Sequence, residues 1–133
     1  MANYRVISAD NHVAEPADLW TTRTELKFRD RAPHIESRPD GDFWFCDGEK
    51  SGGLQASGGN VGLRFEEREK LSTKYRAEET RPGGYIPEEH VKDMDLDGVD
   101  VSIVYPTIGL FLYKVRDSEL LTSLCSTYND WLA

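Results

Sequence analysis

The chain has 133 residues, one domain's worth, with a formal net charge of −8 and ordinary apolar content. Its Lys and Arg residues are interspersed among acidic ones, so no basic stripe exists to follow a phosphate backbone, and nucleic acid is excluded as a partner. No run approaches the ~20 apolar residues of a membrane span, and Met1 to Arg5 does not lead into a hydrophobic secretion segment, so a cytoplasmic protein without membrane contact is expected.

Taken in order, the first apolar run is Tyr4 to Ala9, short and rich in β-branched residues, which predicts a strand buried on both faces. It runs into Asp10-Asn11-His12. Residues two apart on a strand point the same way, so Asp10 and His12 aim an oxygen and a nitrogen at one place beyond the strand's C-terminal end. Carboxylate with imidazole suits zinc, manganese or iron(II). The alternative is a capping Asp beside a hydrogen-bonded His. Glu15 is close enough to accept from His12 or to touch substrate, and equally able to be a surface group or to hold the Pro16 turn.

Pro16 to Trp20 predicts a short helical turn, with another over Thr21 to Phe28, stopped before Pro33. His34 to Arg38 and Asp42 to Cys46 flank Pro39-Asp40-Gly41, the signature of a β-hairpin whose aromatics Phe43, Trp44 and Phe45 are expected to pack it onto the body, the alternative being that they line a ligand pocket or a subunit contact. Gly48 to Gly62 reads as a mobile loop, so hairpin and loop together form an insertion over residues 34–62. Glu66 to Arg81 is charged and without clear period. Cys46 and Cys125 form no CxxC pair and are expected as buried or half-buried thiols.

Pro87-Glu88-Glu89 opens a helix with proline early and carboxylates in the first turn; Val91 and Met94 give it a narrow apolar face and Gly98 stops it. Val99 to Pro106 then predicts a buried parallel strand beside the first, which makes an α/β unit. Asp93 to Gly98 imitates the first half of an EF-hand loop, but its twelfth position is Val104, so a solvated helix end is the reading. His34 and His90 have no ligand partner at short range and read as surface or capping residues. The tail helix starts at Asp117 or Ser118, carries Leu120, Leu121, Leu124, Cys125, Tyr128, Trp131 and Leu132 on one stripe, and meets no stop signal.

Val6-Ile7-Ser8-Ala9-Asp10-Asn11-His12-Val13-Ala14-Glu15-Pro16, with Met94 to Asp100, Val104 to Thr107 and Tyr128 to Leu132, resembles the amidohydrolase-related proteins. Within the amidohydrolase superfamily these form the branch that includes the aminocarboxymuconate-semialdehyde and resorcylate decarboxylases. The resemblance implies an α/β (β/α)8 barrel with one divalent metal, here a partial barrel of the first two strands with the long insertion after strand one. It implies Asp10 and His12 as metal ligands, in place of the superfamily's usual His-x-His; Glu15, near His12 in sequence, and Tyr105 and Thr107, at the end of the second strand, are the residues expected beside the metal or substrate. The expected cofactor is zinc or manganese, with iron as the other option, and the expected partner is a small carboxylate or cyclic substrate; a homo-oligomer is also compatible.

Such a barrel takes about 250 residues. The family's remaining ligands lie beyond its second strand, and no histidine follows His90 here. The expectation is therefore the N-terminal portion of a hydrolase or carboxy-lyase, inactive by itself. The competing expectation is a self-sufficient binding or assembly module that uses the hairpin and the tail helix.

Overall fold

The computed structural model describes residues 5–53, 66 and 75–133. Five strands and three α-helices are present among them: β1 (Ile7–Val13), α1 (Leu19–Arg23), β2 (His34–Arg38), β3 (Gly41–Cys46), β4 (Glu49–Gly53), α2 (Pro87–Asp97), β5 (Val101–Pro106) and α3 (Ser118–Leu132). Short 3₁₀ helices at Leu26–Arg31 and Gly109–Lys114 join them. Two sheets result: β1 pairs with β5 in parallel, and β2, β3 and β4 form an antiparallel meander.

The expected hairpin is there, and it is longer than expected. Gly41 takes a left-handed φ of 134° after Pro39-Asp40, as the turn requires. Asp47 and Gly48 then both adopt positive φ, 53° and 78°, which turns β3 directly into β4. The loop expected from Gly48 thus begins as a strand as far as Gly53; the rest of that loop, and most of the charged stretch after it, lie outside the described residues.

The core is built beside the parallel pair and not upon it. Trp20 is fully buried, meets Trp44 edge-on with ring centroids 5.9 Å apart, and stacks on Tyr128 at 6.5 Å. Its indole N–H donates to the Leu124 carbonyl at 3.2 Å. Leu19, Phe28, Cys46, Ile108, Leu112, Leu120 and Leu124 complete the same cluster, so α1, β3, α3 and the 3₁₀ helix before α3 share one interior. Arg31 clamps the edge of this body. It grips Asp47 with two nitrogens, at 2.7 and 3.2 Å, and reaches Asp117 at 2.8 Å, while Asp117 accepts the N–H groups of Glu119 and Leu120 to cap α3. Cys125 is exposed on the outer side of α3, contrary to expectation, because the buried stripe runs through Leu120, Leu124 and Tyr128 with Ser123 and Thr127 beside them.

β1 and β5 depart furthest from the expected burial. Ile7, Val101, Ile103 and Tyr105 are 59, 42, 46 and 43% exposed. Ser8, Asn11, Val13, Ser102 and Pro106 are half-buried. Among the described residues the two strands pair only with each other, and the side facing α2 is covered only in part, since Val104 on that side is exposed as well. α2 lies on the covered side, where His90 reaches Ser102, but its own Val91 and Leu96 remain exposed. Gly98, at φ 69°, ends α2 as read from the sequence.

Two outcomes follow from this packing. Leu124→Ala is expected to lower unfolding free energy by about 2–5 kcal/mol in chemical denaturation, whereas Leu132→Ala, at an exposed position, changes it by less than ~0.5 kcal/mol. The Arg31 guanidinium, and then the capping N–H of Leu120, hold the Asp117 carboxyl below its ordinary value. A depressed folded value means that this stabilisation is complete above the unfolded carboxyl's pKa of about 3.9 and is lost as pH falls through the folded one. The melting-temperature gap between wild type and Asp117→Asn should therefore be open at neutral pH and close on acidification; a gap independent of pH would contradict the assignment.

Candidate metal centre

The strand register shifts between Ser8 and Asn11: Ser8 is opposite Ser102, but Asn11 is opposite Val104. One extra residue is therefore accommodated in β1, and the alternation of faces restarts after it. Asn11 and Val13 fall on the covered side with Ser8, while Asp10 and His12 share the open side with Ile7. The bulge thus presents both candidate ligands to the side left more open among the described residues. His12 Nε2 lies 3.6 Å from Asp10 Oδ1.

The His12 ring is held by its other nitrogen. Nδ1 is 2.9 Å from the Pro106 carbonyl oxygen, which can only accept, so Nδ1 carries a proton and Nε2, the acceptor nitrogen of the neutral ring, faces Asp10. The His12 N–H also donates to Asn11 Oδ1 at 2.9 Å, and Asn11 Nδ2 donates to Ser102 Oγ at 3.0 Å, which fixes the backbone on either side of the bulge. Tyr105, paired with His12 across the strands, keeps its ring 6.2 Å from the imidazole and exposed.

Glu15 stands elsewhere. It is buried, 6% exposed, and accepts the backbone N–H groups of Thr107, Ile108 and Gly109 at 3.0, 3.0 and 2.9 Å. Burial raises its carboxyl above the ordinary value, against the downward pull of these N–H bonds. The acceptor for His12 is the Pro106 carbonyl and not Glu15, because all the Glu15 bonds go to the turn after β5. Thr107 is buried there, and its hydroxyl has no hydrogen-bond partner among the described residues. Gly109 is part of the same turn: a Cβ on it would come within 2.8 Å of Pro106 Cβ and 3.4 Å of Glu15 Oε1.

His90 is half-buried: its Nδ1 donates to the Gly83 carbonyl at 3.0 Å, capping the turn ahead of α2, and its Nε2 faces the Ser102 hydroxyl of β5 at 3.4 Å. A cleft of about 350 Å3 separates His90 from His12, walled by Tyr85, Ile86, Val104 and Trp131. His34 caps the Ala32 carbonyl at 2.9 Å and stacks on Phe45. Asp93 pairs with Arg81 at 2.9 Å and Gly98 is a helix stop, so the EF-hand likeness has a structural explanation. Burial, then Asp47, push the Cys46 thiol up to about 11, which removes it as a nucleophile.

No protein-family profile and no curated protein matches the chain. A solved structure does: the crystal structure of an amidohydrolase from Mycobacterium avium subsp. paratuberculosis K-10 aligns with a TM-score of 0.66 at 21% identity, covering 99% of this chain and 38% of that one. The chain has part of an amidohydrolase fold. It spans 38% of the length of that amidohydrolase, and at this identity the likeness concerns the fold alone.

The donor set fits in part the divalent metal expected from the sequence. Two lone-pair atoms 3.6 Å apart repel unless a proton or a cation lies between them. Adjacent donors around a tetrahedral ion with bonds near 2.1 Å are separated by about 3.4 Å, close to that spacing. Asp10 and His12 suffice for two positions of a shell; among the described residues no group of three His, Cys, Asp or Glu is arranged to hold a metal ion.

The turn offers its own check. Gly109→Ala should cost about 1–3 kcal/mol in chemical denaturation, since the added methyl must displace Pro106; an unchanged midpoint would mean the close approach is not maintained in solution.

Proposed function

We propose that this chain contributes the opening α/β unit of a metal-dependent enzyme of the amidohydrolase-related kind, with Asp10 and His12 as the first two protein ligands of a divalent metal. The observation that carries this reading is the held His12 ring: Nδ1 is spent on the Pro106 carbonyl, and Nε2 is left to face the Asp10 carboxylate on the open side of a parallel strand pair. A second carbonyl or carboxylate partner of this kind is how ligating histidines are commonly oriented. The position is also the one at which barrel enzymes carry chemistry, beyond the C-terminal ends of the strands.

Bound at this pair, zinc, manganese or iron would supply Lewis-acid polarisation of a substrate carboxylate or phenolate, or activation of water. Hydrolysis and non-oxidative decarboxylation of a small carboxylate or cyclic substrate are both served by that chemistry, and the residues do not choose between them. For their part, Asp10 brings negative charge, His12 a neutral nitrogen, and Tyr105 an exposed phenol beside the imidazole. The assembly-module alternative is disfavoured in one respect: Trp44 and Phe45 of the hairpin are buried in packing, so they are not offered to a partner.

Two ligands fall short of the three or more that catalytic sites use. The purified 133-residue chain is therefore expected to take up a divalent ion weakly, to lose at least about tenfold in affinity on Asp10→Asn or His12→Ala, and to show no turnover. Titration calorimetry with zinc and manganese checks this. Tight stoichiometric metal that persists in both variants would overturn the ligand assignment, and turnover by the chain alone would overturn its incompleteness as a site.

A further inference from the structure

We propose that Glu15 is a positioning residue for His12 and acts through the single peptide group that joins Pro106 to Thr107; its bearing on metal binding rests on the reading of His12 as a ligand. The carbonyl of that peptide accepts from His12 Nδ1 at 2.9 Å, and its N–H donates to Glu15 Oε1 at 3.0 Å. A peptide unit is planar and this one is trans, so its C=O and N–H point in opposite directions and turn together. Whatever anchors the N–H also aims the carbonyl.

Glu15 is well suited to be the anchor. Its Oε1 accepts from Gly109 as well, and its Oε2 from Ile108, so the carboxylate cannot rotate without breaking several bonds inside a buried turn. Gly109 permits the close approach, because a Cβ there would strike Pro106 while resting against Glu15. The negative charge on one end of the peptide also polarises the other, making the Pro106 carbonyl a stronger acceptor. The consequence falls on His12. With that carbonyl in place the proton stays on Nδ1 and Nε2 is free; without it, the proton moves to Nε2, where Asp10 Oδ1 at 3.6 Å is ready to accept it. Glu15 therefore governs which His12 nitrogen bears a lone pair, in the manner of a carboxylate that orients a ligating histidine, with a peptide group interposed.

The test is the His12 tautomer in the metal-free chain, read from long-range 1H–15N correlations on the alkaline plateau where its ring signals no longer move with pH. Wild type is expected to be mainly Nδ1–H, and Glu15→Gln to raise the Nε2–H share severalfold while the amide signals of Thr107, Ile108 and Gly109 shift. An Nε2–H wild type overturns the proposal, and so does a Glu15→Gln protein whose amides move while the His12 tautomer does not, since that is a structural role alone. If Glu15→Gln does not fold, Gly109→Ala serves, because it keeps the carboxylate and displaces Pro106; the same tautomer change is expected, and its absence overturns the coupling. Zinc added to wild type separates the two claims: an Nδ1–H His12 whose Nε2 signal ignores zinc refutes the ligand reading and leaves the coupling to Glu15 standing.

Discussion

A carboxylate taken out of water survives only where donors replace the hydration it loses, and Glu15 finds them in the backbone of Thr107, Ile108 and Gly109, 92 to 94 residues away. These bonds fasten the end of β1 to the end of β5. They also seat Ile108 in the core beneath α3, because the turn that donates to Glu15 leads straight into the 3₁₀ helix that carries Leu112. One ion-to-backbone contact thus connects the parallel strand pair, which has little interior of its own, to the body that has one.

That division explains the uneven stability expected of the chain. Trp20, Trp44, Tyr128 and the α3 leucines form a conventional interior, with the Arg31 clamp at its rim. β1 and β5 carry β-branched side chains suited to burial and leave one face of them in solvent. The Asp10 and His12 side chains lie on that same face, in a fold that matches 38% of an amidohydrolase.

Much of this was legible in the residues. The period of two brought Asp10 and His12 to one side of a strand, Gly98 stopped α2, and Asp117 capped α3, since each of these depends on near neighbours. The Asp47-Gly48 dipeptide is a strong hairpin signal and was available too, but the glycines that follow it suggested a loop instead of β4. Contacts made by backbone atoms far away in the chain were not legible. Nothing local announces that Glu15 is bound by a turn beyond β5, that the Pro106 carbonyl holds His12, or that β1 accommodates an extra residue between Ser8 and Asn11. Burial of β1 and β5 was misjudged for a related reason: hydrophobic content reports what a strand is fit for, and exposure depends on which neighbours are present.

The account stands on Asp10 and His12 acting together on the open face. Its most direct measurement is selective broadening of amide and side-chain resonances by substoichiometric manganese in the isotopically labelled chain. With a charge of −8 the chain attracts cations in general, so location is what matters. The account predicts that signals of Asp10, His12 and Tyr105 broaden first and that His12→Ala abolishes the effect. Broadening led by the acidic end of α2, around Asp95 and Asp97, with His12 untouched, would contradict it.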